Sequence, residues 1–222
     1  MPSGRACALL TCRRRHISPA PFSDTRNKFD LLSLIASSQL RDGAGGGGNA
    51  CVPSQKENVA EYGGPEPDKE AKPTGFNLVD APGHPRLSHI RNSHLESAKG
   101  VVLFVDSTDL AKSVPAAARQ LFDLLASPAV KGVRGVMVAC SKAESMLSKP
   151  KEAVLKELNA ELRILRKNAD ADSAALDFLG ADGSLDVSGD GALPITMAEV
   201  SATDKEPSNA AVHVFINEVI AK

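Results

Sequence analysis

Phe76-Asn77-Leu78-Val79-Asp80-Ala81-Pro82-Gly83-His84 is the stretch on which the reading of this chain turns. A short apolar run ends in an aspartate, and a proline–glycine turn follows at once. A buried parallel strand delivers a carboxylate and a bare backbone amide to a phosphate site in this way. Asp80 has the chemistry to hold a magnesium ion through water, and Gly83, lacking a side chain, lets its N–H approach a terminal phosphate closely. A plainer reading stands beside this one. Asp80 then ends a strand and caps the turn with its own side chain, and His84 is a surface histidine.

Working outward, the chain from Gly75 onward alternates between strand and helix patterns. Residues 76–80 form a predicted strand. Residues 100–106, Gly-Val-Val-Leu-Phe-Val-Asp, are apolar on both faces, as an internal parallel strand requires. The spacing of Val114, Ala118, Leu121, Phe122 and Leu125 predicts a helix over about 112–126, with Ser113 as its cap, Pro115 in its first turn and Pro128 beyond its end. Residues 135–140 are the next strand. Val154, Leu158, Leu162 and Leu165 line one stripe of a helix over about 150–167, whose charges form a solvated face. Residues 195–200 make the last strand. Ser208 then caps a helix that buries Val212, Phe215, Ile216, Val219 and Ile220. Repeated strand–helix units predict a doubly wound α/β domain, in which ligands bind at the carboxyl ends of the strands.

Composition narrows the function classes. The 222 residues are 42% hydrophobic and 24% charged, the balance of a globular domain with appendages. A net charge of −1, no Trp and one Tyr argue against direct nucleic-acid binding, which needs a basic footprint or stacking platforms. Cys7, Cys12, Cys51 and Cys140 show no metal-ligand spacing and read as reduced thiols. No apolar run approaches the ~18–20 residues that span a bilayer. Residues 1–38 form a leader set apart as disordered. Its start, with Arg5, Arg13, Arg14 and Arg15 and no acid before Asp24, has the composition of an organellar transit peptide, which would send the chain to an organelle rather than leave it in the cytoplasm. The domain is expected over 39–222. Gly and Pro make 44–74 flexible, and the Asp-, Gly- and Ser-rich 168–193 is a mobile insertion without the glycine and terminal glutamate of a calcium loop.

Three strand ends carry short polar motifs in order: Asp80-Ala81-Pro82-Gly83-His84, Ser141-Lys142-Ala143-Glu144 and Ser201-Ala202-Thr203. They resemble the DxxG, NKxD and SAK/SAL motifs of Ras-like small GTPases. The resemblance implies that Asp80 and Gly83 face a terminal phosphate and that His84 positions an attacking water. It further implies that Ser141, Lys142, Glu144, Ser201 and Ala202 hold guanine. The Glu144 carboxylate would accept two N–H bonds from the base edge, the Lys142 stem would lie along its face, and the Ala202 N–H would meet its carbonyl. Solvated charges at Lys142 and Glu144 are the plainer alternative.

The run Asp80-Ala81-Pro82-Gly83-His84-Pro85-Arg86-Leu87 is similar to that of the signal recognition particle receptor beta subunit family. Gln39-Leu40-Arg41-Asp42-Gly43, Val105-Asp106-Ser107 and Glu157-Leu158-Asn159-Ala160-Glu161-Leu162-Arg163 resemble the family in order as well. This resemblance implies a P-loop-NTPase-like, doubly wound, mostly parallel sheet, with GTP and magnesium as cofactors and Asp80 holding the metal through water. It also implies a receptor alpha subunit as partner and co-translational protein targeting at the cytosolic face of the endoplasmic reticulum membrane. The chain departs from the family at one essential place. A phosphate cradle needs G-x-x-x-x-G-K-[ST], and no such string occurs here. The family's first strand would fall at 16–23, where Pro19 and Pro21 disfavour a central strand, so the sheet is expected to be incomplete at its first strand and P-loop. The missing cradle argues against hydrolysis. The alternatives are a non-nucleotide-binding interaction module on the same fold, or another Arf/Sar-like GTPase.

Overall fold

The computed structural model describes residues 7–11, 58–62, 76–81, 88–170, 173–189, 191–201 and 210–221. Six strands make one sheet: β1 (Cys7–Thr11), β2 (Asn58–Tyr62), β3 (Phe76–Ala81), β4 (Ala98–Asp106), β5 (Gly135–Ser141) and β6 (Ile195–Glu199). Their spatial order is β2-β3-β1-β4-β5-β6. The β4, β5 and β6 strands run parallel, with Asp106 beside Ser141 and Cys140 beside Glu199.

Alternating side chains explain why β4 and β5 are apolar throughout. Val101, Leu103 and Val105 of β4, with Val136, Val138 and Cys140 of β5, enter one buried cluster. Helices α2 (Leu110–Ala126) and α3 (Lys151–Lys167) complete it through Leu121, Leu125, Leu158 and Leu162. The intervening residues Val102, Phe104, Met137 and Ala139 face the other way, onto Val212, Phe215, Ile216 and Val219 of α4 (Ala210–Ala221). Helix α1 (Ser88–Leu95) adds Leu95 to the first cluster. Both faces of β4 and β5 are therefore covered, as the doubly wound expectation required. Ser208 and the side chain of Ile220 lie outside the described residues.

Two details differ from expectation. Helix α2 begins at Leu110, capped by Asp109, whose carboxylate accepts from the Lys112 N–H at 3.3 Å and pairs with its ammonium at 2.7 Å. Ser113 instead turns inward and donates to the Asp106 carbonyl at 2.8 Å. Pro115 consequently lies inside the helix rather than in its first turn.

The second difference concerns the first strand. The slot between β3 and β4 is filled, not empty. Cys7–Thr11, within the segment set apart as a leader, occupies it. It runs antiparallel to both neighbours, with Leu9 opposite Val79 on one side and Val101 on the other. Cys7-Ala8-Leu9-Leu10-Thr11 is a proline-free apolar run, so every residue can donate to a ladder, which the proline-bearing segment 16–23 cannot do. That segment itself lies outside the described residues.

The stretch after α3 is docked on that helix. The Asn159 side chain accepts from the Leu185 N–H at 2.9 Å, Arg163 pairs with Asp182 at 2.9 Å, and Arg166 donates to the Gly180 carbonyl. Bonds from the Ser184 hydroxyl and amide, then the Arg163 guanidinium, hold the Asp182 carboxyl well below the usual carboxylate range. Gly183 sits at φ +81, and a Cβ there would come within 3.1 Å of the Arg163 stem, so glycine is what the tight turn admits.

Candidate functional site

The carboxyl ends of β4, β5 and β6 converge on one polar cluster. Asp106 and Ser107 leave β4, and Ser141 and Lys142 leave β5. The Val200 amide, just past β6, donates to the Cys140 carbonyl at 2.8 Å, and the Val200 carbonyl accepts from the Ala143 amide at 3.2 Å. Ser201 follows immediately and is buried. Three of the residues expected to hold a base, Ser141, Lys142 and Ser201, are thereby brought to one edge of the sheet.

Ser141 is buried, and its hydroxyl donates across to the Val105 carbonyl at 3.1 Å. Its own carbonyl accepts from both the Ser107 amide at 3.1 Å and the Ser107 hydroxyl at 2.6 Å. Lys142 has φ +64, a left-handed backbone that a non-glycine residue adopts at a cost of about 1–2 kcal/mol. Its ammonium reaches the Asp106 carboxylate at 3.0 Å. The other oxygen of that carboxylate accepts from the Thr108 amide at 2.9 Å and from the Thr108 hydroxyl. Glu144 is exposed in the turn beyond. Sequence reasoning assigned no role to Asp106, Ser107 or Ser148. The signal available was Asp106-Ser107-Thr108 directly after an apolar strand, where an aspartate accepts from the backbone two residues on.

The remaining expected site residues are placed only in part. Asp80 stands in β3, in register with Ala8 of β1 and Asn58 of β2. Its side chain, and all of Gly83, His84 and Ala202, lie outside the described residues.

The residues present fit a guanine nucleotide unequally. A carboxylate at Glu144 and an aliphatic stem at Lys142 suit the base. The phosphate end is where the chain departs from such a site. The sequence has no cradle string, and Thr11 at the end of β1 pairs with Ala98, the first residue of β4. The carboxyl end of β1 therefore lies at the amino end of β4, opposite the end that carries Asp106 and Ser141.

Beneath the cluster, Cys140 is fully buried. Burial first, then the negative charge of Glu199, pushes its thiol from 9.0 to about 12. The sign of the pH effect follows. Between those values the unfolded chain carries a thiolate and the folded chain a thiol, so stability is full below pH 9 and falls as pH rises toward 12. A urea series at pH 8 and pH 10.5 should show wild type losing about 2 kcal/mol more than Cys140→Ala over that interval. Equal losses in the two proteins would contradict it.

Comparison with known proteins adds the lineage. The sequence profile described as "Signal recognition particle receptor beta subunit" matches residues 45–193, more than half of the chain. The beta subunit of Saccharomyces cerevisiae is 27% identical over 143 residues, covering 61% of this chain and 52% of the yeast protein. That of Mus musculus is 31% identical over 104 residues, covering 46% of this chain and 39% of the mouse protein. The chain thus spans about half, or less, of the length of these relatives. Among solved structures, a chain of the mammalian SRP receptor superposes with a TM-score of 0.61 at 20% identity, covering 85% of this chain and 93% of that one. A chain of the SRb-GTP/SRX complex from Chaetomium thermophilum gives 0.54 at 19% identity, covering 77% of each. At these identities the superpositions establish the shared fold, and the profile match establishes the lineage: the chain belongs to the signal recognition particle receptor beta subunit family.

Proposed function

We propose that this chain acts in co-translational protein targeting as a beta-type receptor subunit, engaging a receptor alpha subunit at the cytosolic face of the endoplasmic reticulum membrane. The family match over 45–193 carries this reading. The polar cluster at the ends of β4, β5 and β6 supports it, because Ser141, Lys142 and Ser201 gather at the carboxyl ends of parallel strands, where open α/β sheets bind ligands. Guanine nucleotide is the ligand proposed. Ser141, Lys142, Glu144, Ser201 and Ala202 serve the base, Asp80 and Gly83 the phosphate side, and Asp80 a magnesium ion through water. His84 would position water if hydrolysis occurs. A GTP-bound and a GDP-bound relative from Chaetomium thermophilum share the fold, which is consistent with this choice. No helix among the described residues is long and apolar enough to cross a membrane.

One observation favours a second reading, in which the fold is a partner-binding module without nucleotide. The antiparallel course of β1 places its carboxyl end opposite the edge that carries Asp106 and Ser141, where a phosphate loop is needed. A titration with fluorescent GTP, with and without magnesium, alongside capture of a receptor alpha subunit, separates the two. Micromolar, magnesium-dependent binding is expected for the nucleotide switch. No GTP binding with alpha-subunit capture retained supports the module, and loss of both sinks the targeting role.

A further inference from the structure

We infer that Asp106 is a positioning residue of the base pocket, setting its preference for guanine through Lys142. The inference rests on the proposal above that the chain takes guanine nucleotide. Both ends of the loop 141–149 are tied to the end of β4. At its start, the Ser141 carbonyl accepts from the Ser107 amide and hydroxyl. At its finish, the Ser148 hydroxyl lies 2.8 Å from that of Ser107, and the Lys149 amide donates to the Ser107 carbonyl at 2.9 Å. Between these ties, the Lys142 ammonium pairs with the Asp106 carboxylate at 3.0 Å.

A left-handed lysine persists where its surroundings over-determine it, and such residues gather at functional sites. The Asp106 side chain is 9% exposed and that of Lys142 is 32% exposed, so the pair is shielded on the carboxylate side and open on the lysine side. Pinning the ammonium fixes the course of the four-carbon stem, which is then a preset apolar surface for a planar ring. The Ser145 amide donates to the Lys142 carbonyl at 3.0 Å, closing a turn that carries Glu144 exposed. A carboxylate so presented accepts from the ring N–H and the exocyclic amine of guanine, whereas inosine lacks that amine. A solely structural ion pair would affect stability without affecting this choice of base.

Asp106→Asn tests the point, since it removes the charge facing Lys142 and keeps a carbonyl oxygen for Thr108. GTP and inosine triphosphate affinities are compared in wild type and variant by competition against fluorescent GTP, together with the thermal midpoint. The expected result is a roughly tenfold weaker GTP affinity, the effect of about one misplaced polar contact, with the GTP-to-inosine ratio falling toward one. Lys142→Met, which keeps the stem and drops the ammonium, is expected to lower the ratio likewise and serves if Asp106→Asn does not fold. A ratio unchanged in the variants, whatever happens to the midpoint, overturns the inference alone. Wild-type protein that binds no GTP overturns the inference together with the nucleotide reading on which it rests.

Discussion

Replacing Leu9 by proline is expected to abolish soluble, folded protein. Leu9 lies in the middle of β1, opposite Val79 of β3 and Val101 of β4, in a strand bonded on both sides. Proline cannot donate to a ladder, and a central strand offers no solvent-facing N–H side where that loss would be harmless. The substitution also turns both β3 and β4 into open edges, which invite pairing with other chains. A cost of roughly 3 kcal/mol or more is large against the ~5–15 kcal/mol that separates folded from unfolded domains. Size-exclusion chromatography and a circular dichroism melt read the outcome. A monomeric Leu9→Pro protein with the wild-type midpoint would show that β1 is dispensable to the sheet.

Leu158→Ala is the second large effect. Leu158 is fully buried in α3 with Val154 and Leu162, in the cluster that joins α2 and α3 to the sheet. Truncation removes the transfer free energy of its side chain and leaves a cavity among neighbours that relax only partly, a loss of about 2–5 kcal/mol. For a chain of this size each kcal/mol moves the midpoint by about 2–4 °C, so a drop of roughly 4–20 °C is expected. Ile164→Ala, on the same helix but 53% exposed, provides the contrast and should stay within about 0.5 kcal/mol of wild type. Equal effects at the two positions, measured by urea denaturation, would mean that α3 does not pack by its predicted stripe.

The elements most legible from sequence were those whose signals are local. The stripe Val154, Leu158, Leu162 repeats every four residues, and α3 buries all three. The unbroken apolar runs of β4 and β5 predicted strands covered on both faces, and they are. Helix α1 carried no strong periodicity and was not anticipated. The start of α2 was misplaced because Asp109 and Ser113 are both good caps, and only the demand of the Asp106 carbonyl for a donor draws the Ser113 hydroxyl inward. At the candidate site, Ser141, Lys142 and Glu144 were identified by motif, while Asp106 was read only as part of a family-like strand end. Its partner is 36 residues away in sequence, so no local pattern announces the pair.

By itself, then, the sequence determined the alternation of strands and helices, the two buried faces of the central strands, and the family resemblance carried by the strand-end motifs. These follow from side-chain periodicity and turn chemistry, which act over a few residues. Tertiary structure alone decided what fills the slot between β3 and β4, and in which direction. Two strand edges there require backbone partners, and Cys7–Thr11 supplies them from about seventy residues or more away in sequence. The same long-range pairing places the carboxyl end of β1 at the edge opposite Asp106 and Ser141. An unpaired sheet edge is satisfied by whatever apolar, proline-free segment can reach it, and a sequence pattern does not specify the direction of that segment.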